Sequence, residues 1–393
     1  MIFRATKKIK AAPRVAYIHI GTEKTGTSSV QKFMLDNQRE LSTNGLLYPI
    51  DCGYLSNFRL IWYATRNVDS HPMNNSVDLS DPIKRARWAN RFEKKHKKEI
   101  KKFQAKHSSG STVVYSSEHL QSRLVHPAEL EKLRDFLQPL YDEIRVIVYL
   151  RRQDQLAISG YSTILRAGHT LPFELPAANR LSHYYSYVRL LDLWSSVFGQ
   201  DNMIVRLYER SQLVEQDVVD DFGSIVGFQP DALDYSRISA SNTSLSFSAQ
   251  LALFKLNNII AENLRLHPTI LTKNSSQSMI GDWDALRKSF VTHVECIKDQ
   301  HKADVINRQQ AEEFYSIFKK DNDQIVESYG LPKGFDENFS KYPEKLNITV
   351  DDSEKESIAC QIISSFLQAH EREIHPSLRQ CLSDEVAPLQ VAS

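Results

Sequence analysis

A short segment near the N-terminus combines the residue types that bind phosphate. Residues 21–29 read GTEKTGTSS, with two glycines, one lysine and several hydroxyl side chains. An apolar run, residues 15–20, comes directly before it, and Val30, Phe33 and Met34 follow with helical spacing. Where a strand turns into a helix, backbone N–H groups converge and the helix dipole favours an anion. Because the hydroxyls add donors and Lys24 adds a positive charge, the segment predicts a phosphate-binding loop.

The spacing within this loop argues against ATP or GTP hydrolysis. Gly21 and Gly26 have the separation of the nucleotide-triphosphate motif, Gly-x4-Gly-Lys-Ser/Thr. However, Thr27 stands where that motif requires lysine, and Lys24 lies inside the loop, before the second glycine. The alternative is a glycine-rich turn that Thr or Ser caps without any ligand. The combination of strand, loop lysine and helix favours phosphate.

A second anion site is predicted at the end of another strand. Arg151 directly follows an apolar run, residues 145–150, and Ser159 lies about two turns into the next helix. Arginine offers a planar fork of N–H groups that fits phosphate oxygens, and a helical serine can donate a second hydrogen bond. A lone arginine at a strand end is more often an ion-pair partner. Beside a phosphate loop in the same sheet, it favours a nucleotide that carries phosphates at both ribose positions.

These two segments together resemble the PAPS-dependent sulfotransferases, in particular the carbohydrate-type, prokaryotic-like members. The loop resembles their 5′-phosphosulfate loop, and Arg151 with Ser159 resembles their 3′-phosphate site. Weaker likenesses follow at residues 208–210, 221–228 and 242–246. The resemblance covers about residues 14–340. The chain departs from the cytosolic small-molecule members because it has no late Arg-Lys-Gly segment, so further 3′-phosphate and adenine contacts are unassigned.

The resemblance implies a role for each matched residue. PAPS (3′-phosphoadenosine 5′-phosphosulfate) would be the co-substrate, with no metal required, and Lys24 would contact the bridging or leaving oxygen. Arg151 and Ser159 would hold the 3′-phosphate. The 5′-phosphate end would be bound by the loop residues Thr22, Lys24, Thr25, Gly26, Thr27 and Ser28.

A general base for the acceptor hydroxyl is expected where a further strand ends. Glu118 and His119 follow the apolar run of residues 112–116, and neighbours in an extended segment face opposite ways, so one of them is expected to point inward. Members of the family use a base of either type. We favour Glu118 over His119 as the base. A third option is that neither residue is the base, because Glu118 can instead cap a helix or form an ion pair and His119 can be a buried structural histidine. Glu23 is a weaker candidate, since its charge would oppose the bound anion.

Four short apolar runs determine the expected fold. Residues 15–20, 112–116, 145–150 and 203–208 are rich in Val, Ile and Tyr without strict polar alternation, so each is expected to be a strand covered on both faces. Longer segments with helical periodicity separate them, which is typical of βαβ units and a parallel sheet. Ligands bind beyond the carboxyl ends of such strands, where the candidate residues lie. The prediction is an α/β, P-loop-like three-layer fold with a central parallel sheet flanked by helices.

The chain is expected to comprise a sulfotransferase domain, residues 1–340, and a helical C-terminal extension, residues 341–393. Residues 50–110 are predicted to be a helical insertion that could form an acceptor wall. Its basic stretch, residues 84–106, is either a solvated helix or a basic wall for an anionic acceptor or the cofactor. A helix over residues 353–372 either packs on its own domain or forms a dimer contact, so a homodimer stays open. Further helices are expected within residues 240–265 and 305–330.

The composition excludes several other classes of protein. The 393 residues carry 49 Lys+Arg against 48 Asp+Glu, a net charge of +1, which excludes nucleic-acid binding driven by bulk charge. The four cysteines form no C-x-x-C pair, so no zinc or redox motif is signalled. No run approaches the roughly 18 apolar residues of a membrane span, and the basic N-terminus lacks the apolar region of a signal peptide. The expected location is the cytoplasm, without an integral membrane segment.

The main prediction is therefore transfer of a sulfuryl group from PAPS to a hydroxyl of a carbohydrate or glycolipid acceptor. The alternative is a nucleotide-dependent kinase or related phosphotransferase with an atypical phosphate loop. A third hypothesis is a non-catalytic protein that binds the nucleotide and transfers nothing. Lys24 and the two base candidates argue against this third hypothesis.

Overall fold

The structure, a computed structural model, describes residues 12–66, 81–108, 110–177, 184–233, 245–266, 282–297, 305–346 and 351–386. The chain divides into two compact units. The first unit comprises Met1–Arg152, Ala177–Ser239 and Phe318–Asp336, and the second comprises Gln153–Pro176, Ala240–Ile317 and Glu337–Ser393. The assignment of residues 1–340 to one functional domain stays a prediction.

A parallel sheet of five strands lies in the first unit. The strands are β1 (Arg14–His19), β2 (Leu46–Leu47), β3 (Ser111–Ser116), β4 (Glu143–Leu150) and β5 (Met203–Leu207). Their order is β2-β3-β1-β4-β5, and every neighbouring pair is parallel. The protein is therefore mixed α/β with a central parallel sheet, and the four predicted strands are confirmed. β2 was not predicted because two residues carry no periodic pattern.

The described residues also form fifteen α-helices. In chain order they are α1 (Thr27–Asp36), α2 (Gln38–Thr43), α3 (Arg59–Ala64), α4 (Pro82–Lys106), α5 (His119–Arg123), α6 (Pro127–Leu137), α7 (Gln153–Arg166), α8 (Tyr187–Phe198), α9 (Val218–Val226), α10 (Phe247–Leu266), α11 (Trp283–Glu295), α12 (Arg308–Ser316), α13 (Lys319–Ser328), α14 (Asp352–Ala369) and α15 (Pro376–Val386). Within the described ranges, none of these helices is both long and apolar enough to cross a membrane.

Most of the predicted helices are present, and one is corrected. α4 confirms a helix over the basic stretch, while α10 and α14 confirm helices in the two segments where they were expected. The single helix expected over residues 305–330 is wrong, because Phe318 (φ −106°, ψ −7°) departs from helical geometry and separates α12 from α13. The polar cluster that precedes α10 in the sequence, residues 239–243, lies outside the described residues.

The central strands are buried on both faces, in keeping with their unbroken apolar pattern. Val146, Ile147 and Val148, three successive residues of β4, have no exposed surface. On one side of the sheet, α1 and α9 contribute Phe33 and Phe222 to a core that also includes residues of β1, β3 and β4. This core supports the strand ends that carry the candidate site.

The second unit is helical and has a core of its own. Helices α7, α10, α11, α14 and α15 bury their apolar sides together, with Leu253, Phe290 and Phe366 near complete burial. The apolar side of α14 lies in this core, against α10. The helix predicted over residues 353–372 therefore packs within its own unit, and the homodimer stays a prediction.

Candidate active site

The predicted phosphate loop joins β1 to α1 and has a backbone suited to anions. Gly21 (φ 103°), Lys24 (φ 64°) and Gly26 (φ 77°) all lie in the left-handed region. Left-handed residues within a turn direct successive N–H groups into one concave surface, which binds anions. Gly26 is the N-cap of α1, and the amides of Thr27 and Ser28 therefore stand at a helix N-terminus, where they have no carbonyl partner within the helix.

Three of the hydroxyls predicted to bind phosphate bond to the protein itself. The Thr22 hydroxyl donates to the carbonyl of Tyr149 at 3.0 Å. The hydroxyls of Thr25 (2.6 Å) and Thr27 (3.4 Å) both donate to the carbonyl of Thr22. All three threonines are buried, so their hydroxyls shape the loop. A bound phosphate would instead meet the backbone amides and Ser28, which is exposed.

Arg151 reaches the same loop from the end of β4. Its Nη1 donates to the carbonyl of Lys24 at 2.8 Å. The Arg151 backbone carbonyl accepts from the Tyr187 hydroxyl, and the guanidinium carbon lies 5.7 Å from the centre of the Tyr208 ring. These contacts orient the guanidinium at the loop. The structure thus brings Lys24 and Arg151 together at one edge of the sheet, and their binding of phosphate stays a prediction.

Ser159, the predicted partner of Arg151, lies in α7 of the second unit. It is buried, with 8% of its surface exposed. Its backbone carbonyl accepts from the Thr163 hydroxyl at 3.5 Å, a contact common inside helices. The predicted share of Ser159 in a 3′-phosphate site rests on its spacing from Arg151 along the chain and stays a prediction.

Both base candidates lie beyond the end of β3, beside the loop. The backbone at Glu118 comes so close that a Cβ at Gly21 would lie 3.1 Å from its Cα. Glu118 Oε2 accepts from Gln31 Nε2 of α1 at 2.8 Å. The expected extended conformation is wrong, because Glu118 (φ −62°, ψ −23°), the N-cap residue of α5, already has helical backbone angles. The argument from alternating side chains therefore does not decide between the two candidates.

His119 pairs with a residue of the loop. Its Nδ1 lies 3.6 Å from Glu23 Oε1, an ion-pair distance that is too long for a hydrogen bond. The Glu23 carboxylate raises the pKa of His119 above its usual value, and burial only partly opposes this. For Glu23, burial alone would raise the pKa. The interaction with His119 and a hydrogen bond from the Tyr184 hydroxyl (3.0 Å) outweigh burial, so the pKa of Glu23 is lowered. A protonated His119 would balance the charge of Glu23 and reduce its repulsion of a bound anion.

Two residues that surround the site were not predicted: Gln31 and Tyr184. Gln31 is almost fully buried on the apolar side of α1. A polar residue within the apolar pattern of this helix is the feature of the sequence that could have indicated its place in the site. Tyr184 comes from a distant part of the chain, and no motif or spacing connects it to the loop. Tyr208, by contrast, belongs to the weak likeness at residues 208–210.

Two pockets with basic linings lie along α4. The first encloses about 520 Å³, with Asp51 as an acidic lining residue and a wall formed by Trp88 and Phe92, whose stacked rings are 5.3 Å apart. Its cationic lining residues are Arg59, Lys84, Arg87, Arg91 and Lys95. The second pocket encloses about 720 Å³ and shares Lys95 with the first. This geometry fits the basic-wall interpretation of the stretch, and the ligand stays a prediction.

Gly26→Ala should destabilise the protein by about 1–3 kcal/mol, because a new Cβ would clash and the backbone would be strained. That Cβ would lie 2.8 Å from Val218 Cγ1 and 3.2 Å from the Tyr208 ring. Urea denaturation measures the loss. Gly227→Ala is the matched control, since Gly227 also has a positive φ (94°) but nothing within 4 Å of its Cβ position. Equal losses in the two variants would argue against close packing at Gly26.

Comparisons with known proteins assign no family. No family model matches the chain, and no solved structure matches it. An uncharacterized protein of Archaeoglobus fulgidus is 33% identical over 141 residues, which is 36% of this chain and 36% of the relative. Because the chain spans about a third of that relative, the similarity carries no conclusion about activity.

Proposed function

We propose that the protein transfers a sulfuryl group from PAPS to a hydroxyl of a carbohydrate or glycolipid acceptor. The proposal includes a P-loop-like, three-layer arrangement of the sheet and its helices. One observation carries it: the hydrogen bond of 2.8 Å from Arg151 Nη1 to the Lys24 carbonyl joins a strand-end arginine to an anion-binding loop. A nucleotide with phosphates at its 5′ and 3′ positions needs two neighbouring cationic groups of this kind.

The loop supplies what the transfer step needs. The acceptor oxygen attacks sulfur in line, a new S–O bond forms, and the bond from sulfur to the phosphate oxygen breaks. Negative charge then grows on the leaving 3′,5′-bisphosphate, and Lys24 with the amides of the loop stabilises it. The proton of the acceptor hydroxyl passes to a base beyond β3, either Glu118 or His119. Positioning and charge stabilisation thus account for the catalysis.

The first basic pocket supports an acceptor that carries negative charge. Arg87 lines it and forms no salt bridge with a carboxylate among the described residues, whereas Lys95 interacts with Glu99. An aromatic wall beside such cations suits a sugar ring with acidic substituents. The chain between the lining residues Asp51 and Arg59 is connected to the end of β3 by two hydrogen bonds. The Asn57 backbone N–H donates to the Ser116 carbonyl at 2.9 Å, and Asn57 Oδ1 accepts from the Ser116 N–H at 2.8 Å. We therefore place the acceptor between this pocket and the base.

Nucleotide binding tests the proposal directly. Adenosine 3′,5′-bisphosphate at about 100 times its Kd should stabilise the protein by about 2.7 kcal/mol, which thermal unfolding detects as a higher Tm. ATP with Mg²⁺ should leave the Tm unchanged. Stabilisation by ATP with Mg²⁺, and none by the bisphosphate, would contradict the proposal and favour the phosphotransferase alternative.

Arg151→Ala should weaken binding of the bisphosphate by at least about tenfold, since a hydrogen bond from a charged group contributes about 1.5–3 kcal/mol. Isothermal titration calorimetry measures the affinity. Arg145→Ala is the control on the same strand, because the Arg145 guanidinium bonds to Glu143 at 2.7 Å, away from the loop. If both variants bind as tightly as the wild type, Arg151 does not contact the nucleotide.

A further inference from the structure

A buried cluster of three side chains of metal-binding type adjoins the first basic pocket and includes no residue of the predicted phosphate loop. Asp51 and Cys52 precede α3, and His96 belongs to α4. All three residues are buried, and their donor atoms lie within 4.8 Å of one another. None of them takes part in the transfer mechanism proposed for the loop.

Nδ1 of His96 is the common point of the cluster. It lies 3.0 Å from Asp51 Oδ2 and 3.4 Å from Cys52 Sγ. In a tetrahedral zinc site, with Zn–N at about 2.0–2.1 Å and Zn–S at about 2.3 Å, neighbouring donor atoms are roughly 3.4–3.6 Å apart. The distance from nitrogen to sulfur already matches this spacing, the distance from nitrogen to oxygen is about 0.4 Å shorter, and all three donor atoms lie within 4.8 Å of one another.

The arrangement differs from a nucleophilic Cys–His–Asp triad. In such a triad, the nucleophile and the carboxylate contact opposite nitrogens of the imidazole. Here both Asp51 and Cys52 approach Nδ1, while Nε2 of His96 lies 2.7 Å from the Tyr115 hydroxyl. Convergence on a single nitrogen fits a shared metal ion or an ordinary ion pair, but it does not fit a proton relay through the ring.

Tyr115 provides the outer contact that metal-binding histidines make. A ligating imidazole usually donates its other N–H to a neighbouring oxygen, which fixes the tautomer. The Tyr115 hydroxyl can accept from His96 Nε2 and donate to the Tyr141 hydroxyl, 2.7 Å away. With the proton on Nε2, the lone pair of Nδ1 is left for a metal ion.

We propose that Asp51, Cys52 and His96 bind one divalent transition-metal ion, and that Zn²⁺ best matches this mixed set of oxygen, sulfur and nitrogen donors. Glu99 adds negative charge near Cys52, and Arg59 opposes it with a positive charge. Asp51 also lines the first basic pocket, which gives the ion a route from solvent and a fourth ligand a place to bind. The ion would hold α4 against the segment before α3. This proposal does not rest on the proposed transfer activity.

Cobalt substitution of the full-length protein tests the metal site. After treatment with a chelator, the wild type should bind about one Co²⁺ per chain, with the near-ultraviolet absorption of a thiolate–cobalt bond and the visible bands of a tetrahedral site. Zn²⁺ should displace the Co²⁺ and remove both signals. Absence of the thiolate–cobalt absorption in the wild type would overturn the proposal.

Three variants locate the ion. Cys52→Ala should abolish the thiolate–cobalt absorption, and Tyr115→Phe should keep it but lower the affinity by about 10–100-fold, because only the outer contact is lost. Cys381→Ala is the control, since Cys381 lies in α15 of the other unit. Persistence of the absorption in Cys52→Ala would also overturn the proposal. If Cys52→Ala does not fold, the wild-type spectrum and the affinity of Tyr115→Phe decide the question.

Discussion

Lys24→Ala should lower kcat for sulfuryl transfer from PAPS by about 10²–10³-fold, the cost of removing one group that stabilises developing charge. Lys24 lies at the centre of the loop in a left-handed conformation (φ 64°), and the side chain of Arg151 holds its carbonyl from the other side. We therefore expect its ammonium to face the leaving group together with the guanidinium of Arg151. Transfer of labelled sulfate to neutral and acidic saccharide acceptors measures the effect.

Two further variants separate the charge of Lys24 from its backbone. Lys24→Asn removes the charge but suits the left-handed conformation, so it should be as inactive as Lys24→Ala. Lys32→Ala removes a lysine of α1 that pairs with Asp36 at 2.6 Å on the exposed side, and it should transfer at the wild-type rate. Turnover by Lys24→Ala within about twofold of the wild type would contradict the proposed role, since it corresponds to well under 1 kcal/mol.

The elements that carry the site could be predicted because burial dictates their composition. A central parallel strand must be apolar on both faces, and β4, which ends one residue before Arg151, shows this clearly in its sequence. A loop with two glycines and a lysine between such a strand and a helix has the composition of a phosphate-binding turn, which is why its position at the strand end could be predicted. By contrast, β2 covers two residues, and so short a segment carries no pattern.

The contacts within the site could not be predicted, because they depend on dihedral angles and on packing between distant segments. Thr25 has the side chain of a phosphate donor, yet its hydroxyl turns back to the Thr22 carbonyl at 2.6 Å. The expected alternation of Glu118 and His119 fails because the extended conformation does not continue beyond β3 and Glu118 already has helical backbone angles. The cluster of Asp51, Cys52 and His96 has no spacing motif, since the adjacent Asp51 and Cys52 meet His96 only through the packing of α4.

Glu118→Gln should lower kcat by about 10²–10⁴-fold, the usual contribution of a general base, and His119→Ala should cost less. Glu118 is the stronger candidate because its carboxylate is held by Gln31 next to the loop, whereas His119 already pairs with Glu23. Gln31→Leu should remove this positioning and lower kcat more than KM. A fully active Glu118→Gln variant would contradict the assignment.

The pH profile of Glu23→Gln decides between the two bases independently of how each variant folds. The Glu23 carboxylate raises the pKa of His119, so its neutralisation should let that pKa fall. A base acts only when deprotonated, and the acid limb of kcat/KM reports its pKa in the free enzyme. If His119 were the base, the acid limb would therefore move to lower pH in Glu23→Gln. With Glu118 as the base, we expect the acid limb to stay in place, because the histidine whose pKa changes does not accept the proton.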